Sequence, residues 1–132
     1  MKQEEILDYN KRCAEFLGSE LKNDGQYNYW TYDHLGFNLM KISGSAWISG
    51  NFEFHSDWNW IMEVVEAIEK LDINKNKFSS YPFYQGFNLE NNTYYAHLQF
   101  GEDLHFNGES KSKKEAVVQA INQFLIWYNE NN

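Results

Sequence analysis

One stretch, Phe54-His55-Ser56-Asp57-Trp58-Asn59-Trp60-Ile61-Met62, limits what this chain can fold into more than any other. Up to Phe54 the apolar residues alternate, as they do along a strand, and from Trp58 onward they recur at three- and four-residue spacing, as they do along a helix. Ser56 offers a hydroxyl for a helix N-cap, and Asp57 puts an anion in the first turn, where the helix dipole favours one. The pattern therefore predicts a strand feeding a helix that opens at Ser56. Trp58, Ile61, Met62, Val65 and Ile68 make a core face, and Trp60, Val64, Ala67 and Leu71 widen it past half the circumference. Only Asn59, Glu63, Glu66 and Lys70 remain as a polar strip. A helix so broadly apolar must be covered on more than one side, which calls for a layered fold.

The chain has 132 residues, one domain's worth, and a single globular domain spanning 1–132 is expected. Aromatic residues make up 18% of it, far more than a disordered chain carries. Lys2 to Leu21 reads as a helix whose apolar stripe holds Ile6, Tyr9, Cys13, Phe16 and Leu17. A thiol within such a stripe is read as buried and inert. Asn23-Asp24-Gly25 signals a turn, and Tyr27 to His55 reads as three strands, broken at Ser43-Gly44-Ser45. After a polar loop at Asp72–Lys77 come strands at about Tyr81 to Glu90 and Thr93 to Phe100, joined at Asn91-Asn92. Leu104 to Phe106 suggests a short further strand. Ser112 with Glu115 forms a capping box that opens a last helix, with Val117, Ile121, Phe124 and Tyr128 on one face. The predicted order is α-βββ-α-ββ(β)-α. This is an α/β fold of the α+β type, an antiparallel five- to six-stranded sheet with three helices packed on its faces.

The formal net charge is −8. Direct nucleic-acid binding is not expected, because affinity there comes from cationic side chains displacing counterions. The lone Cys13 fits a reducing compartment, and no apolar run reaches the length of a bilayer span. A cytoplasmic protein away from membranes is the expectation.

The residue types that carry chemistry are scattered. His34, His55, His97 and His105 fall into no metal-binding spacing, and no metal site or cofactor is expected. No nucleophile elbow, phosphate-binding loop or dinucleotide fingerprint occurs, so a non-enzymatic protein is expected. Glu53, His55 and Asp57 make the one constellation from which a hydrolase could be assembled. Glu63 and Glu66, one helical turn apart, raise the alternative of an acidic nucleic-acid mimic. Two aromatic clusters remain, Tyr27, Tyr29, Trp30 and Tyr32 in one and Tyr81 and Tyr84 in the other. Rings on both sides of a strand exceed what a sheet with one wet face requires. These six residues are the candidate contact surface for a protein or ligand, since Tyr and Trp dominate desolvated contacts and also stack on bases and sugars. The competing reading has helices on both sides of the sheet absorbing the rings.

His55-Ser56-Asp57-Trp58, followed by Glu63-Val64-Val65-Glu66, resembles the helix entry of the phage ABA-sandwich family of small bacteriophage proteins. Lys114-Glu115-Ala116-Val117-Val118-Gln119-Ala120 is similar to that family's closing helix. The chain departs from the pattern in its long aromatic middle and in having no Cys in the last helix. The resemblance implies a phage or prophage accessory protein of α-β-α layering without known catalysis, working in the cytoplasm of a bacterial host. A host protein, plausibly a defence component, is then the expected partner, bound and occluded by the exposed rings. The alternatives are an aromatic cleft that sequesters a nucleotide or sugar, and a homodimer that hides the same surface.

Overall fold

A computed structural model describes residues 1–18, 21–23, 28–30, 52–71, 83–101 and 103–132. The chain forms two compact units, Met1–Val64 and Val65–Asn132.

In the first unit, α1 runs over Gln3–Phe16 and buries Tyr9, Asn10, Cys13 and Ala14. It ends earlier than the sequence pattern suggests. Gly18 takes φ 94°, a left-handed conformation that glycine reaches without steric cost, and its N–H bonds the Glu15 carbonyl at 3.0 Å. Leu21, expected at the end of this helix, instead opens strand β1, Leu21–Asn23, which pairs antiparallel with β2, Asn28–Trp30. Burial pushes the Cys13 thiol well above its ordinary pKa.

The strand expected to run into the second helix is a turn. The N–H groups of Ser56 and Asp57 both bond the Glu53 carbonyl, at 3.1 and 3.0 Å. This curl sends Phe52 and Phe54 inward together, where their rings meet Trp60 with centroids 5.9 and 4.7 Å away. The two-residue spacing that reads as a strand is thus two rings of one turn sharing one core. Helix α2 covers Trp58–Glu69. Its N-cap is Asp57, not Ser56: the Asp57 carboxylate accepts from the Asn59 N–H at 2.8 Å, and the Asp57 carbonyl takes the first helical bond, from Ile61. Trp60, Ile61, Val64, Val65 and Ile68 form its buried arc, whereas Met62, expected in the core, is exposed.

The second unit holds strands β3 (Phe83–Asn88), β4 (Thr93–Phe100) and β5 (Leu104–Ser110), followed by helix α3 (Lys113–Glu130). The expected five- to six-stranded sheet is corrected here. Among the described residues there is a three-stranded antiparallel sheet in the order β3-β4-β5, and β1 and β2 form a separate two-stranded ladder. One expected strand gives way where Phe52 and Phe54 turn instead of extending. The strands expected at Phe37/Leu39 and Ile48 lie outside the described residues. β5 is longer than foreseen, because its inward positions are Phe106 and Gly108 and so lack an obvious apolar alternation.

The hairpin between β3 and β4 is set by asparagines. The Asn88 side chain accepts from the N–H groups of Glu90 and Asn91, at 3.0 and 3.3 Å, and Asn92 takes φ 56°. Helix α3 is capped by Ser112, whose hydroxyl accepts from the Glu115 N–H at 3.3 Å. The return arm of the expected capping box runs through Ser110: its hydroxyl accepts from the Ser112 N–H and donates to the Glu115 carboxylate, both at 3.1 Å.

α3 packs on β4 and β5. It comes closest at Gly108, where an added Cβ would collide with the Ala116 carbonyl oxygen. Beyond that contact Phe124 sits among Phe100, Phe106 and Tyr128, with ring centroids 5.5–5.7 Å apart. Two glutamines of α3 reach the outer edge of β5, with Gln123 Oε1 accepting from the Asn107 N–H at 3.1 Å and Gln119 Oε1 from the Glu109 N–H at 3.0 Å.

Gly108→Val is expected to destabilise the protein by about 1–3 kcal/mol, since the helix has to lift off the sheet to admit the side chain. Thermal unfolding checks this, and an unchanged melting temperature contradicts it. Cys13 is expected to resist a thiol-specific disulfide reagent in the native chain and to react fully in denaturant. Rapid modification under native conditions would place the thiol outside the core.

Candidate contact surface on the open sheet face

Alternation along β4 divides the second unit's sheet into two chemically different faces. Ala96, Leu98 and Phe100 are buried on the side of α3, and Tyr95, His97 and Gln99 project from the other. The register brings Tyr84 and Gly86 of β3 opposite His97 and Tyr95, and places Asn107 and Glu109 of β5 opposite the same two residues. His105 stands opposite Gln99, diagonal to His97. The face away from the helix therefore gathers two phenols, two imidazoles, two amides and a carboxylate.

These groups touch one another. The Tyr84 ring stacks on His97 at 4.8 Å with 23° between planes, and meets Tyr95 edge to face at 6.5 Å. Tyr95 lies across Gly86, where any Cβ would strike its phenol. His97 Nε2 and His105 Nδ1 are 3.0 Å apart. Burial holds the His97 pKa below its ordinary value. A hydrogen bond to the Asn107 side chain works in the opposite direction, and His105 adds to the lowering. Tyr84 is 42% and Tyr95 37% exposed, and His105, Asn107 and Glu109 are also exposed.

Of the six residues singled out from sequence, Tyr84 has described surroundings, and they are those of a surface ring. Tyr29 and Trp30 lie in β2, paired with Lys22 and Leu21. Tyr27, Tyr32 and Tyr81 lie outside the described residues. Of the neighbours that give Tyr84 a site, His97 with Gln99 reads from sequence as the outward side of the hairpin and His105 as a surface residue. Tyr95 and Asn107 carry no sequence signal of their own, and no motif joins any of these residues to Tyr84. The signal for them was the Asn91-Asn92 hairpin, which sets the cross-strand register once its turn length is known.

The other constellations are occupied otherwise. The Asp57 carboxylate caps α2. Asn10 Nδ2 donates to the Phe52 carbonyl at 3.0 Å and meets His55 Nδ1 at 3.1 Å. Since that nitrogen is a donor, His55 accepts at Nδ1 and carries its proton on Nε2. Glu66 pairs with Lys70 at 3.4 Å and Glu63 is half-buried, so the acidic strip of α2 is no continuous row of free carboxylates. Among the described residues no group of three or more His, Cys, Asp or Glu converges on a point, and no helix is long and apolar enough to cross a membrane.

His55 supplies a pH test. Burial lowers its pKa from 6.5, with Glu53 opposing. A depressed pKa means that folding favours the neutral ring. The stability this contributes is complete above the ordinary value and is lost as pH falls through the folded value, when Nδ1 becomes a donor facing the Asn10 donor. His55→Gln is expected to lessen the drop in melting temperature between about pH 7 and about pH 5. An identical drop in both proteins contradicts the assignment. No family model, no curated protein and no solved structure matches the chain.

Proposed function

We propose that this protein is a non-enzymatic binding protein that engages a protein partner through the open face of the β3-β4-β5 sheet, with Tyr84 and Tyr95 as its ring anchors. The observation that carries this reading is the pair of exposed, mutually contacting phenols on a face that α3 leaves uncovered. Tyrosine presents a large rigid area at small entropic cost, and such rings supply a disproportionate share of interface energy. His97, His105, Asn107 and Glu109 provide a polar surround of the kind that rims contact surfaces. A net charge of −8 favours a partner with a basic surface, through faster encounter. A phage or prophage setting, with a host defence component as the occluded partner, is supported by the resemblance of the helix entries.

A second reading, the stacking of a sugar or nucleotide, is favoured by the same juxtaposition of phenol rings with amide and imidazole groups. Either occupant needs Tyr84.

The test compares the native chain with the Tyr84→Ala/Tyr95→Ala double variant, using Leu89→Ala, an exposed change on the hairpin turn, as the control. The expected result is a stoichiometric partner from a bacterial lysate that the native chain and the control retain and the double variant loses, while melting curves show all three proteins folded at the temperature of the assay. A partner kept equally by the double variant overturns the reading. A melting-temperature rise with one member of a sugar and nucleotide panel, absent in the double variant, selects the second reading instead.

A further inference from the structure

We propose that His97 and His105 form a two-nitrogen chelate for a divalent transition metal ion of the Cu2+, Ni2+ and Zn2+ class. The inference goes beyond the contact-surface reading and stands without it, because it concerns the chain and the ion alone.

Three observations carry it. The first is the spacing of the donor atoms. His97 Nε2 and His105 Nδ1 are joined by a hydrogen bond of 3.0 Å. Two imidazole nitrogens about 2.1 Å from one square-planar or octahedral ion, at right angles, are also separated by about 3.0 Å, and about 3.4 Å suits a tetrahedral ion. An ion can therefore take the place of the shared proton with little change of span. Their ring planes are inclined at 66°, with centroids 5.2 Å apart, so the rings are not stacked face to face.

The second is support from outside the pair. His97 is stacked against Tyr84 on one side and hydrogen-bonded to the Asn107 side chain. An outer partner of that kind fixes the orientation and tautomer of a ligating imidazole. In the ion-free pair one imidazole N–H bridges the two facing nitrogens. Metal entry moves that proton to the other nitrogen of its ring and turns both facing lone pairs onto the ion, so no proton is released overall.

The third is the backbone. The two rings stand on adjacent strands of a regular ladder, in a diagonal relation fixed by the pairings His97↔Asn107 and Gln99↔His105. Donors held by rigid elements lose little freedom on binding. His105 and Asn107 are exposed, so an ion can reach the pair. Imidazole donors suit borderline metals and not Mg2+ or Ca2+, and affinity among the former rises toward Cu2+. Two protein donors leave the remaining coordination positions to water or to a donor from another molecule.

The experiment titrates the full chain, without a histidine tag, with CuCl2, NiCl2, ZnCl2 and MgCl2, followed by calorimetry and by melting temperature. The expected result is one ion bound per chain, tightest for Cu2+, with no response to Mg2+ and a melting temperature that rises with metal concentration. His97→Ala and His105→Ala are each expected to weaken binding by about tenfold or more, Asn107→Ala by about tenfold, and His55→Ala not at all. Metal-free melting curves establish that each variant is folded. If His97→Ala is not, His105→Ala decides alone. The absence of saturable binding for all three transition metals overturns the proposal, as does a His105→Ala variant that binds as tightly as the native chain.

Discussion

The second unit depends on how closely α3 can lie on its sheet. That approach is limited by one contact, the Ala116 carbonyl against the bare Cα of Gly108. Because no side chain intervenes, the helix settles low enough for Phe124 to reach Phe100 and Phe106, and each such aromatic pair adds about 0.5–1.5 kcal/mol beyond the area it buries. Helix α3 lies on the side of Leu98 and Phe106. On the side of Tyr95 and His97, among the described residues, the rings are held by contacts within the sheet itself.

Those contacts explain why the open face can be rich in rings and still be ordered. Tyr84 rests on His97, Tyr95 rests on the space left by Gly86, and His97 is tied to both His105 and Asn107. Each ring is held by a neighbour across the ladder, the usual unit of stabilisation on a sheet surface. Side chains already restrained in this way have less entropy to lose when a partner or an ion arrives. The order of the face and its fitness for binding therefore have one cause.

How much of this was legible in the sequence depended on whether a local pattern had one structural solution. The Asn91-Asn92 turn, the Ser112 cap and the apolar repeat of α3 each had one, and each corresponds to an element at that place. Phe52 and Phe54 did not: rings two residues apart fit a strand and also a turn that buries both against Trp60, and only tertiary packing separates the two. Ser56 and Asp57 are both good caps, and the choice between them follows from where the Glu53 carbonyl closes the turn. Met62 fell inside an apolar stripe broader than the arc that α2 buries. At the candidate site, Tyr84 was visible as surplus aromatic surface. The outward placing of His97 and His105 was legible too, but their meeting with Tyr84 and Tyr95 was not, since these residues come together only through a cross-strand register.

The glutamines at positions 119 and 123 have a consequence for self-association. They occupy the outward N–H groups of Asn107 and Glu109. A strand from another molecule cannot pair at these two positions without first displacing both amides, so this stretch of β5 is shielded from edge-to-edge adhesion.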